Sequence, residues 1–456
     1  MRGLLKLPEG APFSNKEIFL FLLPIWGEQM MLSALSMIDT LMVSQLPNNN
    51  IILAAVANVS RIDLLFKQIF VALAAGVGIY ISQYLGAQKP EQAKKVLKMG
   101  VITIFSGILI LVFVMELFKG GILNMLYGES EPAVMEQCLT YYSITILSYP
   151  FVALFNCGTA SFRSIGKSKL TMVASVIMLS INIGLKYIFL FVIPMGIVGV
   201  GLSLLMAYAI MSLVLMGLLS KKEEVVYFEG IFKKDWDLGL LGRVFHVALP
   251  TGIENGMFQL GALILQTLVV SLGTESINAN HLTTTLSPLV YGVGVAFTLG
   301  SVPFISRMMG ANQVDWAEAL AKHMLKLDRI SLAITAAIAI PLVPLILPLF
   351  RMTDYVNGLT MQAITLYFAA MPFFYPSSFC LPAMLRGTGD TAFTMYVSVA
   401  TMFCFRIGFA YLLVKAFHVG FIAIWIAMVS DWVIRGIAFR ARFKQGKWKT
   451  LHLVES

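Results

Sequence analysis

Long apolar runs alternate with short polar stretches along the whole chain. A helix needs about 20 mainly apolar residues to cross a bilayer. Runs of that order fall at 17–46, 51–84, 96–118, 135–160, 170–193, 195–219, 242–272, 277–309, 326–350, 356–385, 391–416 and 418–440. The pattern predicts an all-α integral membrane protein with twelve transmembrane helices, six on each side of the charged stretch Ser220–Asp237. That stretch reads as a cytoplasmic connector between lobes 1–219 and 238–456. The segments after the second and eighth runs, QKPEQAKK and NQVDWAEALAKH, predict short amphipathic helices on the inner membrane surface. The first run has no small-residue cleavage site and is expected to stay as a helix.

The two halves repeat. Gly76–Val77–Gly78–Ile79–Tyr80–Ile81–Ser82–Gln83–Tyr84–Leu85–Gly86–Ala87–Gln88 recurs as Gly300–Ser301–Val302–Pro303–Phe304–Ile305–Ser306–Arg307–Met308–Met309–Gly310–Ala311–Asn312. Pro24 and Glu28 match Pro250 and Glu254, Pro150–Phe151 matches Pro372–Phe373, and Arg163–x–x–Gly166 matches Arg386–x–x–Gly389, all in the same order. Two pseudo-symmetric six-helix lobes are what an alternating-access carrier requires, with its site between the repeats.

Composition supports this class. Hydrophobic residues make up 58% and charged residues 12% of the 456-residue chain, and mean hydropathy is +0.82. The net charge of +9 does not point to nucleic acid, because of where it lies. With both termini cytoplasmic, the inner segments collect Lys94, Lys95, Lys98, Arg163, Lys167, Lys169, Lys221, Lys222, Lys322, Lys326, Arg329, Arg440, Arg442 and Lys444. Outer segments hold little beyond Lys119, Arg351 and Lys415, which is the positive-inside asymmetry. The basic balance therefore sets topology and contact with anionic membrane lipid. Cys138, Cys157, Cys380 and Cys404 lie in apolar runs at no metal spacing and read as packing residues. There is no phosphate-binding loop, HExxH or GxSxG pattern. An enzyme or an ATP-driven pump is not indicated, no cofactor is expected, and an ion gradient (H⁺ or Na⁺) remains as the energy source.

A charge within the hydrocarbon costs at least about 2.5–3.5 kcal/mol and needs a partner, a cavity or a role. The candidates are Glu28, Asp39, Asp63, Lys67, Lys186, Glu254, Arg406 and Asp431. Asp39, deep in the first run, is placed to bind the coupling ion; a static salt bridge is the plain alternative. Glu28 and Gln29 follow Pro24 as Glu254 and Asn255 follow Pro250, and Gln259 and Gln266 extend a polar stripe down the seventh helix. These residues, with Met257 alongside, are expected to line a substrate cavity or else to bond between helices. Asp63–Lys67 and Asp431–Arg435 stand four residues apart and can neutralise themselves on one helix face. Lys186 and Arg406 fall in equivalent helices, with Asn182 opposite Arg406, and the expected partners are Asp39 for Lys186 and Glu254 for Arg406.

The chain resembles the multidrug and toxic compound extrusion (MATE) transporters. The resemblance is carried by Leu23–Pro24, Met37–Ile38–Asp39–Thr40–Leu41–Met42–Val43, Gln83–Tyr84–Leu85–Gly86–Ala87, Ala248–Leu249–Pro250 and Leu385–Arg386–Gly387–Thr388–Gly389–Asp390–Thr391. It spans about residues 20–440 and is similar to a bacterial, Firmicute-like branch. It implies a V-shaped pair of six-helix lobes in the bacterial inner membrane, working as a monomer. The implied activity is efflux of small organic, amphipathic or cationic compounds in exchange for H⁺ or, less in keeping with these residues, Na⁺. By likeness the family's acid in the first helix falls on Asp39 and its asparagine in the fifth on Asn182. The acid that often follows one turn later is here Lys186, which makes a poorer sodium cage. Glu254 lies about one turn from the seventh-helix acid of some members, so it is a stand-in rather than a match. A lipid-linked sugar flippase of the same superfamily and a membrane receptor that moves nothing are the alternatives; the span count speaks against the first and the repeat against the second.

Overall fold

The computed structural model describes residues 10–45, 49–128, 131–228, 237–451 and 453–454, apart from the side chains of 35–37, 39–41, 44 and 49. Among the described residues fifteen α-helices follow one another: α1 Asn15–Ser44, α2 Asn49–Gly86, α3 Pro90–Tyr127, α4 Pro132–Ile165, α5 Ser168–Tyr187, α6 Gly196–Leu219, α7 Leu238–Ser271, α8 Thr274–Leu286, α9 Pro288–Gly310, α10 Val314–Ile346, α11 Asp354–Tyr375, α12 Leu381–Thr388, α13 Thr391–Thr401, α14 Phe409–Lys415 and α15 Ile422–Gln445. Short π-helical segments extend α5 (Ile188–Val192), join α11 to α12 (Pro376–Cys380) and join α13 to α14 (Met402–Gly408). Among the described residues, 11 continuous helical stretches are long and apolar enough to cross a membrane. With the 30-residue α1, they give the twelve spans expected.

Local sequence explains the helix ends. Ser14 and Glu17 form a reciprocal cap: the Ser14 N–H donates to Glu17 Oε2 at 2.7 Å and the Glu17 N–H to Ser14 Oγ at 3.2 Å. Proline occupies the first turn of α3, α4 and α9, where its missing N–H costs nothing. The repeated Arg–x–x–Gly motif marks a shared stop. Gly166 and Gly389 end α4 and α12 with φ of 100° and 105°, a left-handed geometry natural to glycine. Gln88 and Asn312, equivalent in the longest repeat, both turn with φ of 57°. The duplication thus persists down to single backbone angles.

By internal contact the chain divides into two compact units. One takes the chain up to Met30 with Ile253–Ser456, and the other takes Met31–Gly252. Each unit therefore owns one half of α1 and one half of α7, and these ends are exchanged relative to the sequence halves 1–219 and 238–456. In the unit 31–252, α4 is the central helix, with 61% of its most apolar window buried against 28% for α3. Ile110, Phe113 and Leu117 on α3 are about two-thirds exposed, as a lipid-facing surface requires. In the other unit one core joins Ile18, Phe21, Leu22 and Ile25 of α1 to Phe304, Met308, Met384 and Phe439. A second gathers Leu268, Leu286, Phe368, Met371, Trp425 and Trp432.

Three expectations change, and the tail adds a further finding. The eighth apolar run is two helices, α8 and α9, parted at Ser287 where Pro288 opens the second. The two basic segments read as surface helices are the first turns of the long helices α3 and α10, because no proline follows Pro90 within α3 and none precedes Pro341 within α10. Cys138, Cys157 and Cys380 are buried as packing residues, but Cys404 is exposed. The tail after α15 is ordered against its own unit: Trp448 is 1% exposed, stacks on Phe443 at 5.1 Å and lies among Ile305, Ala317, Ala321, Met384 and Leu385. Asp390 and Arg442 brace that end with hydrogen bonds of 2.7 and 3.0 Å. The connector carries no helix over 220–228 and is tied by Lys167–Glu224 at 2.6 Å; its residues 229–236 lie outside the described residues.

Candidate functional site

Each unit carries its own cluster of buried polar groups. In the unit 31–252, Asp63 and Lys67 pair at 2.7 Å one turn apart on α2, as their spacing predicted. The lysine ammonium also lies 5.7 Å from the Tyr208 ring centre. Tyr142, Thr145 and Tyr149 share one face of α4, and the Tyr149 hydroxyl is within electrostatic reach of Asp63. On α5, Asn182 and Lys186 are both 3% exposed, and the π-helical segment begins two residues after the lysine. Five buried oxygens here have no hydrogen-bond partner: Asp63 Oδ1, Tyr142 OH, Thr145 Oγ1, Tyr149 OH and Asn182 Oδ1. Buried oxygens of this kind are where a protein holds water or a small cation. The Asp39 side chain, and with it the expected Asp39–Lys186 pair, lies outside the described residues.

The other unit holds a chain of charges. Glu254 on α7 accepts two bonds from Arg386 Nη1 of α12, both at 3.2 Å. Arg435 Nη2 meets Asp431 Oδ2 at 3.1 Å on α15, with both side chains almost wholly buried. The Arg435 guanidinium stacks over Phe379 at 4.4 Å and Phe258 at 5.0 Å, which shields its flat faces. Arg406 lies within electrostatic reach of Asp431, Tyr367 and Tyr291. The expected Glu254–Arg406 pair is therefore corrected. Arg406 sits on the π-helical stretch between α13 and α14, which packs on α15 beside Asp431, while Arg386 in the last turn of α12 reaches Glu254 first. Sequence reading missed Arg386 as a partner, although the Arg–x–x–Gly repeat had marked it.

The remaining candidates fall in this same unit. Glu28 is 4% exposed and Gln29 half-buried on α1. There α1 lies so close to α9 that a Cβ on Gly292 would come within 2.1 Å of the Met30 methyl. Asn255, Met257 and Gln259 are half-buried on α7. Gln266 Oε1 accepts from Asn280 Nδ2 at 3.5 Å, the long limit of a hydrogen bond. Glu28, Gln29, Glu254, Asn255, Met257, Gln259, Gln266 and Arg406 thus belong to one unit, and Asn182 and Lys186 to the other. Among the described residues no three His, Cys, Asp or Glu side chains are arranged to hold a metal ion.

Comparison with known proteins agrees with the duplicated architecture. The family model described as MatE matches residues 24–188 and again 250–412. The chain is 22% identical to the probable multidrug resistance protein NorM of Thermotoga maritima, over 97% of this chain and 94% of that protein. It is 24% identical to the uncharacterized transporter YisQ of Bacillus subtilis, over 97% and 96%. A crystal structure of MATE in complex with MaL6 superposes with a TM-score of 0.87 at 18% identity, over 97% of this chain and 98% of the other, a likeness of fold. Matched once in each half and over most of its length, the chain belongs to the MatE family of membrane transporters.

Proposed function

We propose that this protein is a multidrug efflux antiporter that exports small amphipathic, cationic organic compounds in exchange for H⁺. The observation that carries the choice of ion is Lys186: a cation 3% exposed stands one turn beyond Asn182, where a sodium cage would want a second carboxylate. A fixed ammonium there repels Na⁺ but can trade places with a proton on a neighbouring acid. Asp39 of α1 is assigned that acid. Its protonation biases the transporter only through different affinities for H⁺ in the two access states. Relatives named for multidrug resistance support the cargo, as do the methionine and aromatic side chains beside the polar stripe of α7, which suit flat apolar cations. The setting is the bacterial inner membrane, with both termini cytoplasmic and one chain as the working unit.

The test is ethidium transport by reconstituted vesicles with an imposed pH gradient and no sodium. Transport should follow the gradient, and Asp39→Asn should abolish it at unchanged expression. Strict dependence on Na⁺, or unaltered transport by Asp39→Asn, overturns the reading.

A further inference from the structure

Asp328 takes no part in either charged cluster. It lies within α10, is 0% exposed, and neither carboxylate oxygen has a hydrogen-bond partner. It packs in the part of its unit where α10 meets α9, α11 and the π-helical segment Pro376–Cys380. The groups within electrostatic reach are Tyr375 at the end of α11, Cys380 of the π-helical segment and Arg329, the next residue on its own helix. Arg329 is on the exposed face. The Cys380 thiol is turned to Ser301 Oγ of α9 at 3.9 Å. Of the other cations on these elements, Arg386 of α12 is taken by Glu254, Arg307 belongs to the last turn of α9, and Arg440 of α15 bonds Ser377 and the Phe373 carbonyl.

An ionised carboxylate accepts only, and one left in a low-dielectric interior without donors is among the costliest arrangements a protein can hold. A bound proton removes the charge and leaves a single O–H to be satisfied. The ligand this pocket calls for is therefore H⁺. The segment beside it is built to change. Pro372, Pro376 and Pro382 interrupt the hydrogen-bond ladder from α11 into α12, and a π-helical turn of this kind marks a place where a helix can shift register.

We propose that Asp328 is a second proton-binding site, housed in the unit that contains residues 253–456, loaded in the present conformation and emptied when the π-helical segment beside it rearranges and admits water. The step is proton binding alone: the proton leaves the carboxyl oxygen for water, and the carboxylate so formed is hydrated. This rests on the proton coupling proposed above for its role in transport, but the occupancy of the site is measurable without transport.

Infrared spectroscopy of the purified full-length protein at neutral pH should show a protonated carboxyl C=O band that shifts in heavy water. Asp328→Asn should remove the band and Asp328→Glu should move it; either variant suffices should the other fail to fold. Ethidium added to weakly buffered protein should then release protons, and a well-folded Asp328 variant to Asn should release roughly half as many, one site of two. Loss of no band overturns the loaded site, and so does a band abolished by added Na⁺. Unchanged proton release with the band lost shows a static neutral acid and overturns the carrier role. A sodium-driven transporter would refute proton coupling through Asp39 while leaving the band intact, so the two failures are distinguishable.

Discussion

Removing one member of the Glu254–Arg386 pair should cost more than removing both. The Glu254 side chain is 7% exposed and Arg386 18%, so Arg386→Met strands a nearly buried carboxylate, at a cost of about 3 kcal/mol, the low end for a broken buried pair. The double variant Glu254→Gln with Arg386→Met should recover most of that loss, because the two desolvation penalties vanish together. Thermal unfolding of the detergent-purified variants measures both. These residues also show what a sequence can disclose. Asp63–Lys67 and Asp431–Arg435 were legible because both partners lie on one helix, where a spacing of four fixes their proximity. Glu254–Arg386 joins helices far apart in sequence, and only the packing of α7 and α12 chooses Arg386 over Arg406. Asp328 escaped notice because Lys326 and Arg329 beside it read as an inner, wetted segment, although its own face of the helix turns inward.

At the scale of helices, the repeat is a repeat of contacts with the small residues traded. Ser164 Oγ of α4 donates to the Gly78 carbonyl of α2 at 2.8 Å, and Ser306 Oγ of α9 donates to the Gly387 carbonyl of α12 at 3.0 Å. Serine faces glycine at both crossings, but from opposite members of the helix pair. Such exchange blurs an alignment while preserving the crossing. Equivalent glycines also differ in tolerance. A Cβ on Gly76 would lie 2.6 Å from Ala248 Cβ and 3.1 Å from its Cα, which cannot move without the helix. A Cβ on Gly300 would meet side-chain ends alone, chiefly the flexible tip of Leu22 at 2.3 Å, with Ile25 Cδ1 at 3.4 Å. Gly76→Ala should therefore destabilise by about 1–3 kcal/mol, the usual range for overpacking, and Gly300→Ala by clearly less. Thermal melts of the two variants decide it, and equal losses would show that Leu22 cannot turn aside. The π-helical segments were not legible in sequence. They carry no composition of their own, yet one begins two residues after Lys186 and another, on the equivalent helix, contains Arg406.

For the whole molecule, orientation decides which way an antiporter works. Efflux driven by H⁺ requires the proton to enter from the outside and the drug to leave from the inside, so the cytoplasmic face must be known. The positive-inside rule supplies the proposal: Lys94, Lys98, Lys167, Lys322 and Arg442 all belong to the ends that the rule assigns to the cytoplasm. Two of these ends are ordered by their own ion pairs, Lys94–Glu91 at 2.6 Å and Arg442–Asp390 at 2.7 Å. The packed tail around Trp448 follows Arg442 at that end of its own unit. A fluorescent protein fused after Ser456 should consequently glow in the cytoplasm, and alkaline phosphatase at the same point should be inactive. Phosphatase fused into the turn between α11 and α10, near Arg351, should be active. The opposite pattern would place the connector outside and reverse the direction of the proposed proton-driven transport, so that the same carboxylates would serve uptake instead of efflux.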